Sequence, residues 1–187
     1  MSEAQRDRLV EQLVQAQPGL REFVGHQPLD MVAGSWDLLS YSFQRGFEAL
    51  WDSAKADKSG LLVRPLLMLW RQSVELSLKA ALLEVSGKAS PEPGHNLSKL
   101  FAQLLEIRAL RGCVDNDDYT RSADAMISLV QSFDPASDRF RYPADRKGTP
   151  YNGITVDLDE LFQAHWSIVT WCEGSTIELI ETSALLR

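Results

Sequence analysis

Apolar residues recur at every third or fourth position along most of this chain, which is the spacing of one helix face. That pattern predicts helices over residues 3–16, 36–56, 61–85, 97–111, 118–133 and 157–186. Breaks rich in proline, glycine, aspartate or serine separate these segments. Because the strand signal is nearly absent, we expect an all-α fold, an antiparallel bundle of about five to six helices.

The central segment, residues 61–85, is apolar on nearly all sides, as in a helix that is enclosed by other helices. It nevertheless carries Arg71, Glu75 and Lys79 at steps of four, which places them in a row along one flank. Charges on an enclosed helix need a partner, because burying an unpaired charge is costly. Two interpretations stay open: an ion-pair ladder at the edge of the bundle, or a polar site that binds a ligand or faces a dimer partner.

Residues 134–156 break the helical pattern with prolines, glycines, aspartates and arginines, and with aromatic residues between them. A structureless loop of this length is uncommon in a compact domain. We therefore predict a short hairpin-like insertion before the last helix, in which residues 140–142 pair with residues 154–156. Within the last helix, Gly174 and Ser175 predict a kink or a split.

Two polar groups outside the central helix are candidates for binding. Arg139, Arg141 and Tyr142 alternate basic and aromatic side chains, which can stack on bases and contact phosphates. The alternative is a loop held against the acidic flanks of the helices. His95 precedes Asn96, the predicted N-cap of the next helix, and a histidine there can cap the helix, bind an anion or pack.

Length and charge restrict the interpretation further. The 187 residues predict a single domain with an N-terminal helix and connection (1–34), core helices (35–133), the insertion (134–156) and a C-terminal helix (157–187). The net charge of −7 argues against binding of duplex DNA, because proteins that neutralise phosphates usually carry a basic excess.

Other features of the composition argue against a membrane protein and against metal or cofactor chemistry. The two cysteines are too few for a disulfide framework, and no long uncharged apolar run or signal-peptide-like start is present. We therefore expect a cytoplasmic protein. The three scattered histidines and the lack of a glycine-rich phosphate loop predict neither a metal centre nor a bound cofactor.

Three stretches of the chain resemble the HEPN superfamily, a group of small all-α proteins. The first is the helix RQSVELSLKAALL that begins at Arg71, and the second is the segment GHNLSKL that contains His95. The third is DRFRYP at residues 138–143, which is followed by Gly148. Together the resemblance covers roughly residues 60–165.

The resemblance implies a helical bundle that dimerises and that belongs to a bacterial toxin–antitoxin or antiviral system. Active members are metal-independent ribonucleases that use an arginine and a later histidine with four to six residues between them. In this chain only Arg21 and His26 have that spacing, and they lie in a Pro/Gly-flanked connection before the core helices. A nuclease site would otherwise need a histidine and an arginine that converge in space, such as His95 with Arg71 or Arg141, or a pair formed across a dimer.

Since the catalytic spacing is missing from the core, we expect a non-catalytic module that dimerises and binds a protein partner or a small anionic or nucleotide ligand. The alternatives are a metal-independent ribonuclease with a non-standard site and a purely structural bundle. The candidate ligand-binding residues are Arg71, Glu75, Lys79, His95, Asn96, Arg139, Arg141 and Tyr142.

Overall fold

The computed structural model describes residues 34–86 and 94–185, together with Ala4, Gln5, Arg8 and Gln12. Clustering of contacts divides the chain into two units, residues 1–33 and 34–187, and the helices described below all lie in the second. The predicted helix 3–16 is described at those four positions only, and all four are helical. The candidates Arg21 and His26 lie outside the described residues.

The described part of the second unit contains five helices and no strand, so the predicted all-α fold is confirmed. The helices are α1 (Trp36–Ala56), α2 (Val63–Ser86), α3 (Leu97–Leu110), α4 (Asp118–Phe133) and α5 (Leu158–Leu185). None of them is long and apolar enough to cross a membrane.

Short polar side chains start these helices where the sequence places them. The hydroxyl of Ser35 accepts a hydrogen bond from the Leu38 amide before α1, and the side chain of Asn96 accepts one from the Lys99 amide before α3. Each satisfies a backbone donor that has no partner inside its own helix. Asp157 does the same for α5, because its carboxylate accepts from two backbone amides of the first turn.

Helix α2 is the centre of the bundle, as its apolar sequence predicts. It packs against α1, α3 and α5, and α4 closes the bundle by packing against α3 and α5. Thirteen of its 24 residues are buried, and two of these, Arg71 and Glu75, are charged. The position of α2 therefore forces charged side chains into the interior, where each needs a compensating partner.

The insertion before α5 forms, but its pairing differs from the prediction. Residues 140–142 and 154–156 do not pair, and an isolated antiparallel bridge joins Ala144 to Pro150 instead. The guanidinium of Arg64 on α2 donates to the carbonyl oxygens of Arg139 and Tyr142, at 3.1 and 3.0 Å. The amides of Arg141 and Tyr142 both donate to the carbonyl oxygen of Asp138, so this stretch forms a turn and these donors are not available for a strand ladder.

Helix α5 continues through Gly174 and Ser175, so the predicted split is absent. Ser175 is buried, and its carbonyl oxygen accepts a hydrogen bond of 3.1 Å from Arg108 at the end of α3. The same guanidinium bonds the carboxylates of Asp115 and Glu178, both at 2.7 Å. Glycine in a helix interior costs about 1 kcal/mol relative to alanine, and these contacts from Arg108 stabilise α5 next to Gly174, where its helix propensity is lowest.

Candidate functional site

The charged row on α2 lies inside the bundle rather than at its solvated edge. Arg71 and Glu75 are 2 % and 1 % exposed, and Arg71 Nη1 donates to Glu75 Oε2 at 3.0 Å. Lys79 Nζ, which is partly exposed, donates to Glu75 Oε1 at 2.7 Å. One buried carboxylate, Glu75, therefore binds two cations of its own helix, whereas an ion-pair ladder at the edge of the bundle would be exposed to solvent.

Arg71 also joins α2 to two other segments of the chain. Its Nη2 donates to the carbonyl oxygen of His95 at 2.7 Å, just before α3. Its Nε lies 3.2 Å from Oδ2 of the buried Asp134, which follows α4. The Nε–H does not point at that oxygen, so the second contact is a charge contact and not a hydrogen bond. The result is a buried network of two carboxylates around one guanidinium.

Glu75 sets the orientation and the tautomer of His95. Burial alone would raise the pKa of Glu75, but the hydrogen bonds and charges of Lys79 and His95 outweigh burial and lower it. An ionised carboxylate can only accept hydrogen bonds, so His95 Nδ1, at 2.8 Å from Oε1, must carry the proton and donate. The other nitrogen, Nε2, is left free to accept or donate on a side chain that is 62 % exposed.

His95 stands at one side of an open cleft of about 570 Å³. The opposite side is the segment 136–146, which contributes Ser137, Arg141 and Arg146. Arg141 donates from Nη2 to the Ser137 hydroxyl. Within the described part of the chain, no carboxylate pairs with Arg141 or Arg146, so both guanidinium groups keep their charge available to a ligand.

Two carboxylates also line the cleft, and one oxygen of each accepts hydrogen bonds from within the insertion. Asp138 accepts a hydrogen bond of 2.7 Å from the hydroxyl of Tyr151, and this contact raises the pKa of Tyr151 to about 12. Asp145 accepts from the backbone amides of Thr149 and Lys147 at 2.9 and 2.8 Å, and these bonds lower its pKa. Each acid therefore helps to fold the insertion while it lines the cleft beside Arg141 and Arg146, so the cleft carries charged groups of both signs.

The structure brings only some of the predicted residues to the cleft. His95, Arg141 and Tyr142 line it, whereas Arg71, Glu75 and Lys79 form the network that supports His95. Asn96 caps α3. Arg139 does not line the cleft; its guanidinium lies over the rings of Phe133 and Tyr151, 5.5 and 5.8 Å from their centres.

Three residues of the site were not predicted from the sequence. Asp134 accepts the backbone amides of Asp138 and Arg139 at 2.8 and 3.0 Å, which fixes the first turn of the insertion. Ser137 has a φ of 59°, a left-handed conformation that is uncommon outside glycine. Arg146 is the third. The aspartate–proline pair at 134–135 was the available signal, because Asp before Pro favours a turn.

The buried His165 was not a candidate, and its surroundings make it a structural residue. Its Nε2 lies 2.9 Å from the hydroxyl of Ser73, and the ring of Phe47 is centred 4.3 Å away. Burial lowers the pKa of His165 to about 4, so the imidazole is neutral at ordinary pH. A neutral, enclosed histidine cannot exchange protons with a ligand, so His165 is not a candidate for acid–base chemistry.

No metal cluster supplements this chemistry in the described residues, where no group of three histidine, cysteine, aspartate or glutamate side chains could hold an ion. In comparisons with known proteins, no family model matches the chain, and no curated protein or solved structure is significantly similar to it. The function must therefore be argued from the cleft itself.

Proposed function

We propose that the cleft between His95 and the insertion binds a phosphate-bearing anion of nucleotide size. The observation that carries this proposal is the convergence of Arg141 and Arg146, neither of which has a carboxylate partner within the described residues, with His95 on one cleft. A guanidinium group can donate two parallel hydrogen bonds to two oxygens of one phosphate, so arginine is well suited to bind phosphate. The cleft volume of about 570 Å³ falls in the usual range for small-molecule sites.

The buried network supports this proposal because it fixes one side of the cleft before any ligand arrives. The backbone of His95 is held by Arg71, and its ring is held by Glu75. Less ordering is then needed on binding, which favours affinity. Tyr142 is 57 % exposed at the same cleft and offers a face on which a base can stack.

The test is calorimetric titration of the full chain with adenosine monophosphate and, separately, with inorganic phosphate. We expect the nucleotide to bind more tightly than phosphate, since only the nucleotide can stack on Tyr142. Arg141→Gln and Arg146→Gln should each weaken binding about 10-fold or more, because a charge-assisted hydrogen bond contributes roughly 1.5–3 kcal/mol.

The matched control for these variants is Arg45→Gln on α1, because Arg45 is exposed and pairs with Glu48 away from the cleft. This variant should bind like the unchanged protein. Equal weakening by all three substitutions would mean that the ligand responds to the total charge of the protein, and it would refute the proposal that the ligand binds in the cleft. Absence of heat with both ligands would refute the ligand class.

A second candidate function is metal-independent cleavage of RNA, which the Glu75–His95 pair favours. A carboxylate that holds Nδ1–H leaves Nε2 free as a general base within reach of a ligand in the cleft, and Arg141 could hold the phosphate. Labelled RNA in EDTA would be cleaved by the protein and not by His95→Ala. Cleavage that persists in this variant would exclude His95. Homodimerisation and a role in bacterial stress or antiviral defence rest on the HEPN resemblance alone and stay predictions, and the cleft does not bear on a protein partner.

A further inference from the structure

A second recess, the α1–α2–α5 groove, lies apart from the cleft and has a volume of about 520 Å³. Its walls carry four large apolar side chains that face solvent: Leu38 and Tyr41 from α1, and Ile177 and Ile180 from α5. Their exposed fractions are 44, 57, 58 and 50 %. Single exposed apolar residues are ordinary, but several around one depression mark an interaction surface.

The floor of the α1–α2–α5 groove consists of small residues, Ser40 on α1 and Ser77, Ala80 and Ala81 on α2. The hydroxyls of Ser40 and Ser77 lie 3.0 Å apart, and Ser77 also donates to the carbonyl oxygen of Ser73. The serine hydroxyls on the floor are therefore satisfied by the protein. A floor of small side chains lets a whole helix approach closely, with its larger side chains against the walls.

The rim of the groove is acidic. Asp37, Glu84 and Glu173 stand around it, and among the described residues that line it there is no lysine, arginine or histidine. Within the described residues, none of these three carboxylates forms an ion pair, whereas the carboxylates of the buried network are all paired. Charge of one sign around an apolar surface attracts a partner of the opposite sign and repels the rest.

We propose that the α1–α2–α5 groove docks a basic amphipathic helix from another protein. The lining residues extend from Asp37 to Gln44 on α1 and from Cys172 to Ile180 on α5, which is about 10–12 Å at 1.5 Å per residue. Two to three turns of a helix fit that length, with apolar anchors at i, i+3, i+4 and i+7. The groove and the cleft share no lining residue, so this inference is independent of the proposed function.

The experiment uses fluorescence anisotropy of the full chain with three labelled synthetic peptides of about 18 residues, a length at which an isolated helix can form. The first has leucines on one helical face and lysines elsewhere. The second has the same composition in scrambled order, and the third has glutamates in place of the lysines. The protein variants are Glu84→Lys with Glu173→Lys in one chain, and Asp124→Lys as the control, since Asp124 is an exposed acid of α4 outside the groove.

We expect the lysine peptide to bind at least 10-fold more tightly than the scrambled and glutamate peptides. The double variant should weaken the lysine peptide about 10-fold and strengthen the glutamate peptide, while Asp124→Lys stays within 2-fold of the unchanged protein. Equal binding of the scrambled peptide, or equal effects of the double variant and its control, would overturn the proposal. A dimer seen by light scattering that Ile177→Asp dissociates would show that a second copy occupies the groove, which also overturns it.

Discussion

Replacing Arg71 with methionine removes one positive charge from a position where two carboxylates are buried against it. Methionine keeps much of the side-chain volume, so the change removes charge and hydrogen bonds more than it opens a cavity. Glu75 would lose its contact of 3.0 Å and Asp134 its contact of 3.2 Å, and the carbonyl oxygen of His95 would lose its donor. The expected result is a large loss of stability and a displaced His95.

The size of that loss follows from what each carboxylate retains. Breaking a buried ion pair costs about 3–5 kcal/mol when the remaining charge has no other partner. Here Glu75 keeps Lys79 at 2.7 Å, and Asp134 keeps two backbone amides. We therefore expect the lower part of that range, about 3 kcal/mol. In a domain of this size each kcal/mol changes the Tm by about 2–4 °C, so the Tm should fall by about 6–12 °C.

The assay is urea unfolding at pH 7, followed by circular dichroism, with Arg45→Met as the matched control. Arg45 pairs with Glu48 but is 63 % exposed, and an exposed pair contributes only about 0–1 kcal/mol. The double variant Arg71→Met with Asp134→Asn should cost less than the sum of the two single changes, because the second change removes a carboxylate that the first left uncompensated. A loss below 1 kcal/mol for Arg71→Met, or strict additivity, would refute the buried network.

Three further predictions concern other buried groups. The pKa of His165 is about 4 in the folded chain and about 6.5 in the unfolded chain, so the unfolded state takes up the proton first as the pH falls. The free energy of unfolding should therefore be highest above about pH 6.5 and should fall by roughly 3 kcal/mol as the pH is lowered to about 4. In urea unfolding at pH 7.5 and 4.5, His165→Leu should show a smaller difference than the unchanged protein, and an equal difference would contradict the assignment. Arg108→Met should lower the free energy of unfolding by about 3 kcal/mol, because it leaves Glu178 and a nearly buried Asp115 without their cation. In the same assay Arg121→Met, at an exposed ion pair, should lower it by under about 1 kcal/mol. Cys172 is buried and burial raises its pKa, so a thiol reagent at pH 8 should label it only after unfolding. The partly exposed Cys113 should react in the native state. Rapid labelling of both cysteines in the native protein would contradict the packing around Cys172.

The helices could be predicted because their determinants are local. Ser35 and Asn96 are caps that act within three residues, and the apolar spacing of 118–133 coincides with α4. The predicted pairing of residues 140–142 was wrong, because these residues form a turn on the Asp138 carbonyl, and Arg64 contacts that turn through carbonyl groups 75 and 78 positions away. No periodic pattern carries information about such a contact.

In the candidate site, too, residues related by helical spacing could be predicted, whereas those brought together by tertiary contacts could not. The row of Arg71 and Glu75 was visible from helical spacing, and the structure places His95 beside it. That these two charges are buried, and that Asp134 shares Arg71, depends on which face of α2 meets the rest of the bundle. Arg146 lies in a turn, where spacing between residues does not reveal which side chains converge.

The tip of the insertion offers a place to build a sensor. Its backbone hydrogen bonds close on themselves: the Asp145 amide donates to the Thr149 carbonyl oxygen, and the Gly148 amide donates back to Asp145, both at 2.9 Å. Lys147 and Gly148 are exposed, and Arg146 beside them lines the cleft. An environment-sensitive dye attached at position 147 would lie beside the cleft for which we propose a ligand, without replacing any side chain of the core. The same exposed turn could accept an inserted reporter peptide, because surface turns of this kind tolerate added residues.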